Sequence, residues 1–428
     1  MILSAIKSLE KCVHDLSLNL DSYVKDPGRA FSRSRLLTFD KMIWAFLQMG
    51  GKSLSKELLD LGLPVSNSAF SQRRYQIKVD ALEQLFHSFT NEITPVQDIP
   101  ILAVDGSDFH IPTIPSDTDS YFSPHQRNNG YNLLHLNALY DTQHEIYYDA
   151  LIQKTRNSDE RQALIEMMER SPFDKALVIA DRGYESYNLM AHFQEHKWEY
   201  LIRIKDGATS MKRSLELPAT DTYDIPIKLS LTRRQTKKTL LQFKARNHFK
   251  FIPSNQRFDY LSTSWDRNSL PEYYNLVFRI VRLEIGEGHY ETLVTNTDYT
   301  VKELKSLYAD RWGIETSFRD LKYSLGLISF HSKKMEGIYQ EIFAHLSMYN
   351  LSKAISSQIT VPNRQRKYDY QINFTDMVYA CRLLLCQKMS STDLEAYVQR
   401  HLTPIRPHRT TKRRKTARYV RGFNYRVA

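Results

Sequence analysis

Residues 301–327, VKELKSLYADRWGIETSFRDLKYSLGL, constrain the fold of this 428-residue chain more tightly than any other stretch. Helical spacing runs through it from end to end. Thr300 and Glu303 suit an N-terminal cap and Gly326 suits a stop, so it reads as one long helix. At 100° per residue, Tyr308, Arg311, Glu315 and Lys322 share an arc of roughly 60°, with Arg319 beside them. Leu307, Ile314, Phe318, Leu321 and Leu325 form a separate apolar stripe next to that arc. One face must pack on a core, while its neighbour presents a carboxylate among cations and a phenol. Such a helix is either an amphipathic surface helix with Glu315 and Arg319 paired one turn apart, or one wall of a site where metal and phosphate meet. The choice turns on whether the chain supplies more carboxylates.

Two more stand out. Asp105 follows the apolar run ILAV and Asp181 follows LVIA, and each precedes a glycine within two residues. In open α/β sheets reactive groups collect beyond the carboxyl ends of strands. Taken singly, Asp105 also suits an Asp-Gly turn, and Asp181 an ion pair with Arg182 or an ordinary turn. Asp108 competes with Asp105, but Asp105 is the residue that ends the apolar strand. Three carboxylates brought within a few ångströms would repel and raise one another's pKa values. Divalent cations relieve that repulsion, and all-oxygen ligands favour Mg²⁺ or Mn²⁺. Two ions about 3.5–4 Å apart activate a water and stabilise the leaving oxygen of an in-line phosphoryl displacement. Arg311 and Lys322 would then hold phosphates of the strand being cut, with Tyr308 donating to one of them.

The rest of the chain offers a frame for this site. Residues 1–95 read as helical, with Gly50-Gly51 and Gly62-Leu63-Pro64 as punctuation. Within them, SNSAFSQRRYQIK suits either a helix-turn-helix reader with Arg73, Arg74 and Lys78 facing a duplex, or a plain helical bundle. From residue 99 strands appear: IPILAVDGSDF, 131–140, 145–153, 176–184 and 200–205, with helices at 159–170 and 186–196. Hairpin strands followed by alternating helix and strand make an α/β domain with a mixed sheet. Residues 206–290 break the alternation and read as a β-rich insertion, after which 291–297 returns to the sheet. The catalytic domain thus spans 96–205 and 291–360. Residues 361–428 form a helical C-terminal region with a basic tail.

The tail carries most of the charge. The chain has a net charge of +11. Arg406 to Arg426 contributes nine Lys or Arg, which leaves about +2 elsewhere. Lys412, Arg413, Arg414 and Lys415 are its densest run, suited either to a solubilising tail or to a sequence-blind phosphate clamp. A pI near 9.3 points to a polyanionic partner. Three cysteines without a C-x-x-C pair suit a reducing cytosol. No apolar run reaches the roughly 18 residues of a membrane span, and no secretory segment opens the chain, so no membrane partner is expected.

The spacing Tyr308-x2-Arg311-x3-Glu315-x6-Lys322 resembles the Y-R-E-K signature of DDE transposases of the fourth insertion-sequence family. VDGSD around Asp105 and IADRGY around Asp181 are similar to that family's first and second aspartate motifs, and LVTNT and FHSKK flank the helix in a similar way. The resemblance spans roughly residues 30–360. It implies an RNase H-like catalytic domain interrupted by a β-rich insertion, with Asp105, Asp181 and Glu315 as ligands of two Mg²⁺ or Mn²⁺ ions. It implies that Tyr308, Arg311 and Lys322 contact DNA phosphates, with Arg319 beside them on the helix face, and that an aromatic of the insertion handles a base near the cut; Tyr260 and Trp265 are the candidates, and each also suits an ordinary core or surface aromatic. It also implies cut-and-paste strand transfer between element ends and target DNA by a homodimer, in the nucleoid of a prokaryotic cytoplasm. A related nuclease without strand transfer, and a DNA-binding descendant that no longer catalyses, are the alternative readings.

Overall fold

The computed structural model describes residues 2–405 apart from 34, 96–97, 125–128, 206–209, 263–269 and 363–367. Its N-terminal part is helical: α1 (Ile2–Leu18), α2 (Phe39–Gln48), α3 (Leu54–Asp60), α4 (Asn67–Arg74) and α5 (Asp80–Ile93). An α/β unit follows, built from β1 (Ile101–Ile111), β2 (Tyr131–Asp141), β3 (Ile146–Lys154), α6 (Glu160–Glu169), β4 (Leu177–Ala180), α7 (Tyr187–Glu195) and β5 (Glu199–Arg203). These five strands lie in the order β3-β2-β1-β4-β5, and only β2 runs against the others. That mixed sheet is the expected RNase H-like core.

The stretch 206–290 contributes β6 (Tyr223–Thr232), β7 (Phe249–Phe251) and β8 (Tyr273–Gly286), and β9 (His289–Thr295) brings the chain back. β9 pairs antiparallel with β5 on one side and with β8 on the other. The insertion therefore prolongs the catalytic sheet through an unbroken hydrogen-bonded ladder.

The organising stretch is not a single regular helix. It divides into α8 (Val301–Asp310), α9 (Trp312–Asp320) and a π-helical turn over Leu321–Leu325. Its start is as expected: Thr300 Oγ1 accepts from the Glu303 N–H, and the Glu303 carboxylate accepts from the Thr300 N–H at 2.8 Å. At Arg311 the backbone tightens, with the Arg311 N–H bonded to the Tyr308 carbonyl and the Ile314 N–H to the Arg311 carbonyl. Gly313, a poor helix former, adjoins this interruption. The wider π turn holds Lys322, and Gly326 ends it at φ 98°. Then come α10 (Met335–Ser356), α11 (Phe374–Leu385) and α12 (Ser391–Arg400), and Tyr370–Ile372 pairs with Leu402–Pro404 in a small ribbon.

The two sheet faces have separate cores, because successive strand residues point to opposite sides. Leu102 and Val104 pack with α6 and α7, while Ala103 faces the helical side. On that helical side the core runs without a break from α1, α2 and α5 through Ile314 and Phe318 to α10, α11 and α12. The boundaries read near residues 95 and 360 thus fall within one shared core. α10 is its axis, with Gln340, Glu341, His345, Ser347, Asn350 and Ser352 buried alongside its apolar residues.

This packing corrects one expectation. Arg74 is 3% exposed; its guanidinium donates to Gln340 at 3.0 Å and to Glu341 at 2.8 Å. It is a buried tie between α4 and α10, turned away from any duplex. Arg73 lies over the Phe31 ring at 3.8 Å and donates to the Leu37 carbonyl, and Lys78 donates to the Ser22 carbonyl at 2.9 Å. Both keep partial exposure.

Candidate active site

Parallel pairing of β1 with β4 sets Val104 opposite Ala180, so Asp105 and Asp181 stand side by side where that ladder stops. Contrary to the sequence expectation, Asp105 does not end its strand, because β1 runs on to Ile111 in its antiparallel pairing with β2. Neighbouring strands lie about 4.8 Å apart, which keeps two carboxylates at that edge within one small pocket. Asp105 accepts the Gly106 N–H at 2.9 Å. Asp181 caps a single 3₁₀ turn and accepts the Gly183 N–H at 2.6 Å. Arg161 fastens that turn by donating twice to the Gly183 carbonyl, at 2.9 and 2.8 Å. Burial pushes the Asp105 carboxyl up to about 6; the Gly106 N–H and Arg311 oppose the rise, and the charges of Asp181 and Glu160 add to it.

Glu315 reaches the pocket from α9. The Arg311 guanidinium donates to it at 2.6 Å and stands 3.6 Å from Asp105 Oδ2. Asp105 and Glu315 thus share one cation. Burial works against the Arg311 charge, but Glu315, Tyr308 and Asp105 outweigh it and hold the guanidinium pKa above its ordinary value. A donor set of carboxylate oxygens that already gathers around a positive charge fits a divalent cation, and the Asp105 and Glu315 side chains are open enough to admit one.

The other residues of the helix face occupy distinct settings. The Tyr308 hydroxyl is buried, with Arg203 of β5 beside it. Lys322 donates to Ser107 Oγ at 2.8 Å and sits over the Phe109 ring at 4.8 Å. Burial lowers its pKa. Arg319 is exposed on α9. Trp312 and Tyr323, next to Arg311 and Lys322 in the chain, are 57% and 68% exposed.

Sequence reading missed an ionic cluster behind the aspartates. His135 on β2 is cross-strand partner of Asp108; its Nδ1 lies 2.7 Å from Asp108, and its Nε2 3.1 Å from Glu160 in the first turn of α6. Burial disfavours the imidazolium, but the two carboxylates prevail and raise its pKa to about 9. Gly106 makes room for it, since a Cβ there would overlap the imidazole and crowd Glu160. A glycine inside a strand pattern was the available signal for this close approach.

Several proposed contacts lie elsewhere. Tyr260 is bonded to His192 Nδ1 at 3.0 Å and so is engaged within the fold. Trp265 and the tail residues Lys412, Arg413, Arg414 and Lys415 lie outside the described residues.

An RNase H-like sheet with two aspartates on adjacent parallel strands where their ladder stops, and a helix glutamate that shares an arginine with the first of them, is the arrangement of a phosphoryl-transfer enzyme of the DDE class. Residues 96–351 match the transposase DDE domain model, and the chain belongs to that family, among the transposases of the fourth insertion-sequence family. It is 23% identical over 357 residues to the transposase InsG for insertion sequence element IS4 of Escherichia coli strain K12, covering 76% of this chain and 71% of that one. Among solved structures, the chain is similar to a piggyBac transposase synaptic complex with hairpin DNA, at TM-score 0.42 and 11% identity, over 90% of this chain and 78% of the other. The protein is accordingly a transposase, an enzyme that acts on DNA with divalent metal. No helix among the described residues is long and apolar enough to cross a membrane.

Proposed function

We propose that Asp105, Asp181 and Glu315 are the catalytic carboxylates and hold two Mg²⁺ or Mn²⁺ ions while a homodimer cuts the ends of an insertion sequence and joins them to target DNA in the nucleoid. The observation that carries this reading is the meeting of Asp105 and Glu315 around one cation, with Asp181 on the neighbouring strand end. When bound, the ions supply Lewis-acid activation of the attacking oxygen and relieve charge on the leaving one. In cleavage, water adds to the phosphorus and the 3′-oxygen leaves with a proton. In transfer, that 3′-OH attacks a target phosphate and another 3′-oxygen leaves, so each step exchanges one P–O bond for another.

The chain's own residues position this chemistry. Asp105 and Asp181 are fixed by backbone N–H groups and resist rotation. Arg311, which now faces Asp105 and Glu315, would be free to hold a DNA phosphate where those carboxylates hold metal. Lys322, directed by Ser107 and Phe109, holds a second phosphate, Tyr308 donates to another, and exposed Arg319 extends the track. The imidazolium of His135 holds Glu160 and Asp108 behind the aspartates, so their charge is partly neutralised before metal arrives. Arg73 and Lys78, with Lys412, Arg413, Arg414 and Lys415, provide sequence-blind contacts outside the pocket.

The test incubates the full chain and its Glu315→Gln variant with Mg²⁺ and a plasmid carrying candidate element ends. Excised and joined products from the parent, absent with the variant, are expected. Nicked circles alone would establish a nuclease without strand transfer, and equal activity of the two proteins would remove Glu315 from catalysis.

A further inference from the structure

We propose a second metal site, built from Glu169, His192 and His196, which takes a Zn²⁺-class ion and lies apart from the carboxylate pocket. One donor atom from each of the three residues falls within 4.8 Å of the others. The two histidines stand one turn apart on the end of α7, their rings 16° from parallel with centroids 6.3 Å apart. Glu169 is the last residue of α6. The ion would therefore sit at two helix C-termini, where the backbone carbonyls favour positive charge.

The tautomer of His192 is set by its neighbours. The Asp259 carboxylate receives Asn188 Nδ2 at 2.8 Å, Arg257 Nε at 3.0 Å and His192 Nε2 at 2.9 Å. A carboxylate held by three donors is an acceptor, so Nε2 carries the proton and Nδ1 presents its lone pair. The Tyr260 hydroxyl faces that lone pair at 3.0 Å and would yield it to a metal. Asp259 then becomes the outer carboxylate that orients a ligating imidazole, an arrangement common to histidine-bound metals. A four-coordinate ion with bonds of about 2.0–2.1 Å needs donors about 3.4 Å apart. His192 is buried and fixed, whereas exposed Glu169 closes the gap by side-chain rotation. Water completes the shell.

Imidazole donors select Zn²⁺ and its neighbours over Mg²⁺, which separates this site chemically from the oxygen-only pocket. Distance separates it too. α6 starts at Glu160, close to Asp181, and nine residue steps carry Glu169 about 13.5 Å away along the helix axis. An ion there would tie α6 to α7 and, through Asp259, to the segment between β7 and β8. Its role would be to stiffen the layer behind the sheet.

The test uses untagged full-length protein, stripped of metal and returned to millimolar Mg²⁺, then titrated with Co²⁺ and followed by visible absorption. One equivalent giving the intense bands of four-coordinate Co²⁺, displaced by Zn²⁺, is the expected result. His196→Ala should weaken Co²⁺ binding by more than about 100-fold, because even outer partners of a ligand contribute 10–100-fold. Glu169→Gln, at an exposed position that leaves the fold intact, should weaken it as well. Asp181→Asn should leave the bands unchanged. Only the pale spectrum of six-coordinate Co²⁺, insensitivity to Glu169→Gln, or loss of the bands in Asp181→Asn would each overturn the proposal.

Discussion

The Arg311 guanidinium donates to Glu315 at 2.6 Å across one helical turn, and its second amino group stands 3.6 Å from Asp105. Removing one guanidinium from between two carboxylates has opposite effects on the two things the site must bind. Cations lose a competitor, whereas a DNA phosphate loses a partner. Arg311→Ala should bind Mn²⁺ roughly tenfold more tightly, since a neighbouring arginine shifts the affinity of a carboxylate for positive charge by 1–3 log units. Strand cleavage should fall by about 100-fold, the scale for loss of one donor to a developing charge. Calorimetry on the DNA-free protein and a cleavage assay measure the two separately; parallel loss of both would show that Arg311 holds the pocket open instead.

Asp105 makes metal binding dependent on pH. Its folded pKa, about 6, lies above the ordinary 3.8. The sign follows: its contribution to metal-free stability is full below pH 3.8 and is lost as the pH rises through about 6. A divalent ion needs the ionised form, so binding releases a proton at low pH. Mn²⁺ affinity should be about tenfold weaker at pH 5 than at pH 7, because one pKa unit corresponds to a factor of ten. Flat affinity across that range would mean that Asp105 is not a ligand.

Gly106 tests the cluster behind the aspartates. His135 cannot move aside freely, being held by Asp108 and Glu160. Gly106→Ala should cost about 1–3 kcal/mol of stability, typical of an overpacked core position. It should also impair cleavage more than DNA binding. Gly288→Ala, at φ 70° with open space around its Cβ, is a useful contrast: it strains the backbone yet leaves activity per folded molecule unchanged.

Some of this site was readable before any coordinates because it rests on local rules. The apolar run before Asp181 marks a strand end and the Thr300–Glu303 pair marks a helix start, whereas the same reading of Asp105 fails because pairing with β2 carries β1 on to Ile111. What stayed hidden depends on register and long-range packing. His135 meets Asp108 only because β1 and β2 pair as they do, and a slip of one residue would send His135 to the other face. The burial of Arg74 was equally opaque. Its helix is short and largely polar, which reads as an exposed edge, and the partner that draws it inward lies 267 residues away. The continuity of the N-terminal helices with α10 follows from the same cause: an axis buried on all sides has no polar face to announce where it packs.

That buried pair carries the last prediction. Glu341 accepts from Arg74 at 2.8 Å and from the backbone N–H groups of His331 and Ser332 at 2.9 Å each. Burial alone would raise the Glu341 pKa, but Arg74 and His331 overcome it and depress the value well below 4.5. A depressed acid contributes stability that is present above its unfolded pKa and is lost as the pH falls below 4.5. Arg74→Ala strands the carboxylate and should destabilise the protein by about 3–5 kcal/mol at neutral pH. Arg74→Ala/Glu341→Gln removes the orphaned charge, so it should recover part of that loss and unfold less steeply on acidification. Denaturant unfolding at neutral and acidic pH measures both effects. If Arg74→Ala instead keeps full stability but loses DNA affinity, Arg74 belongs to the DNA surface after all.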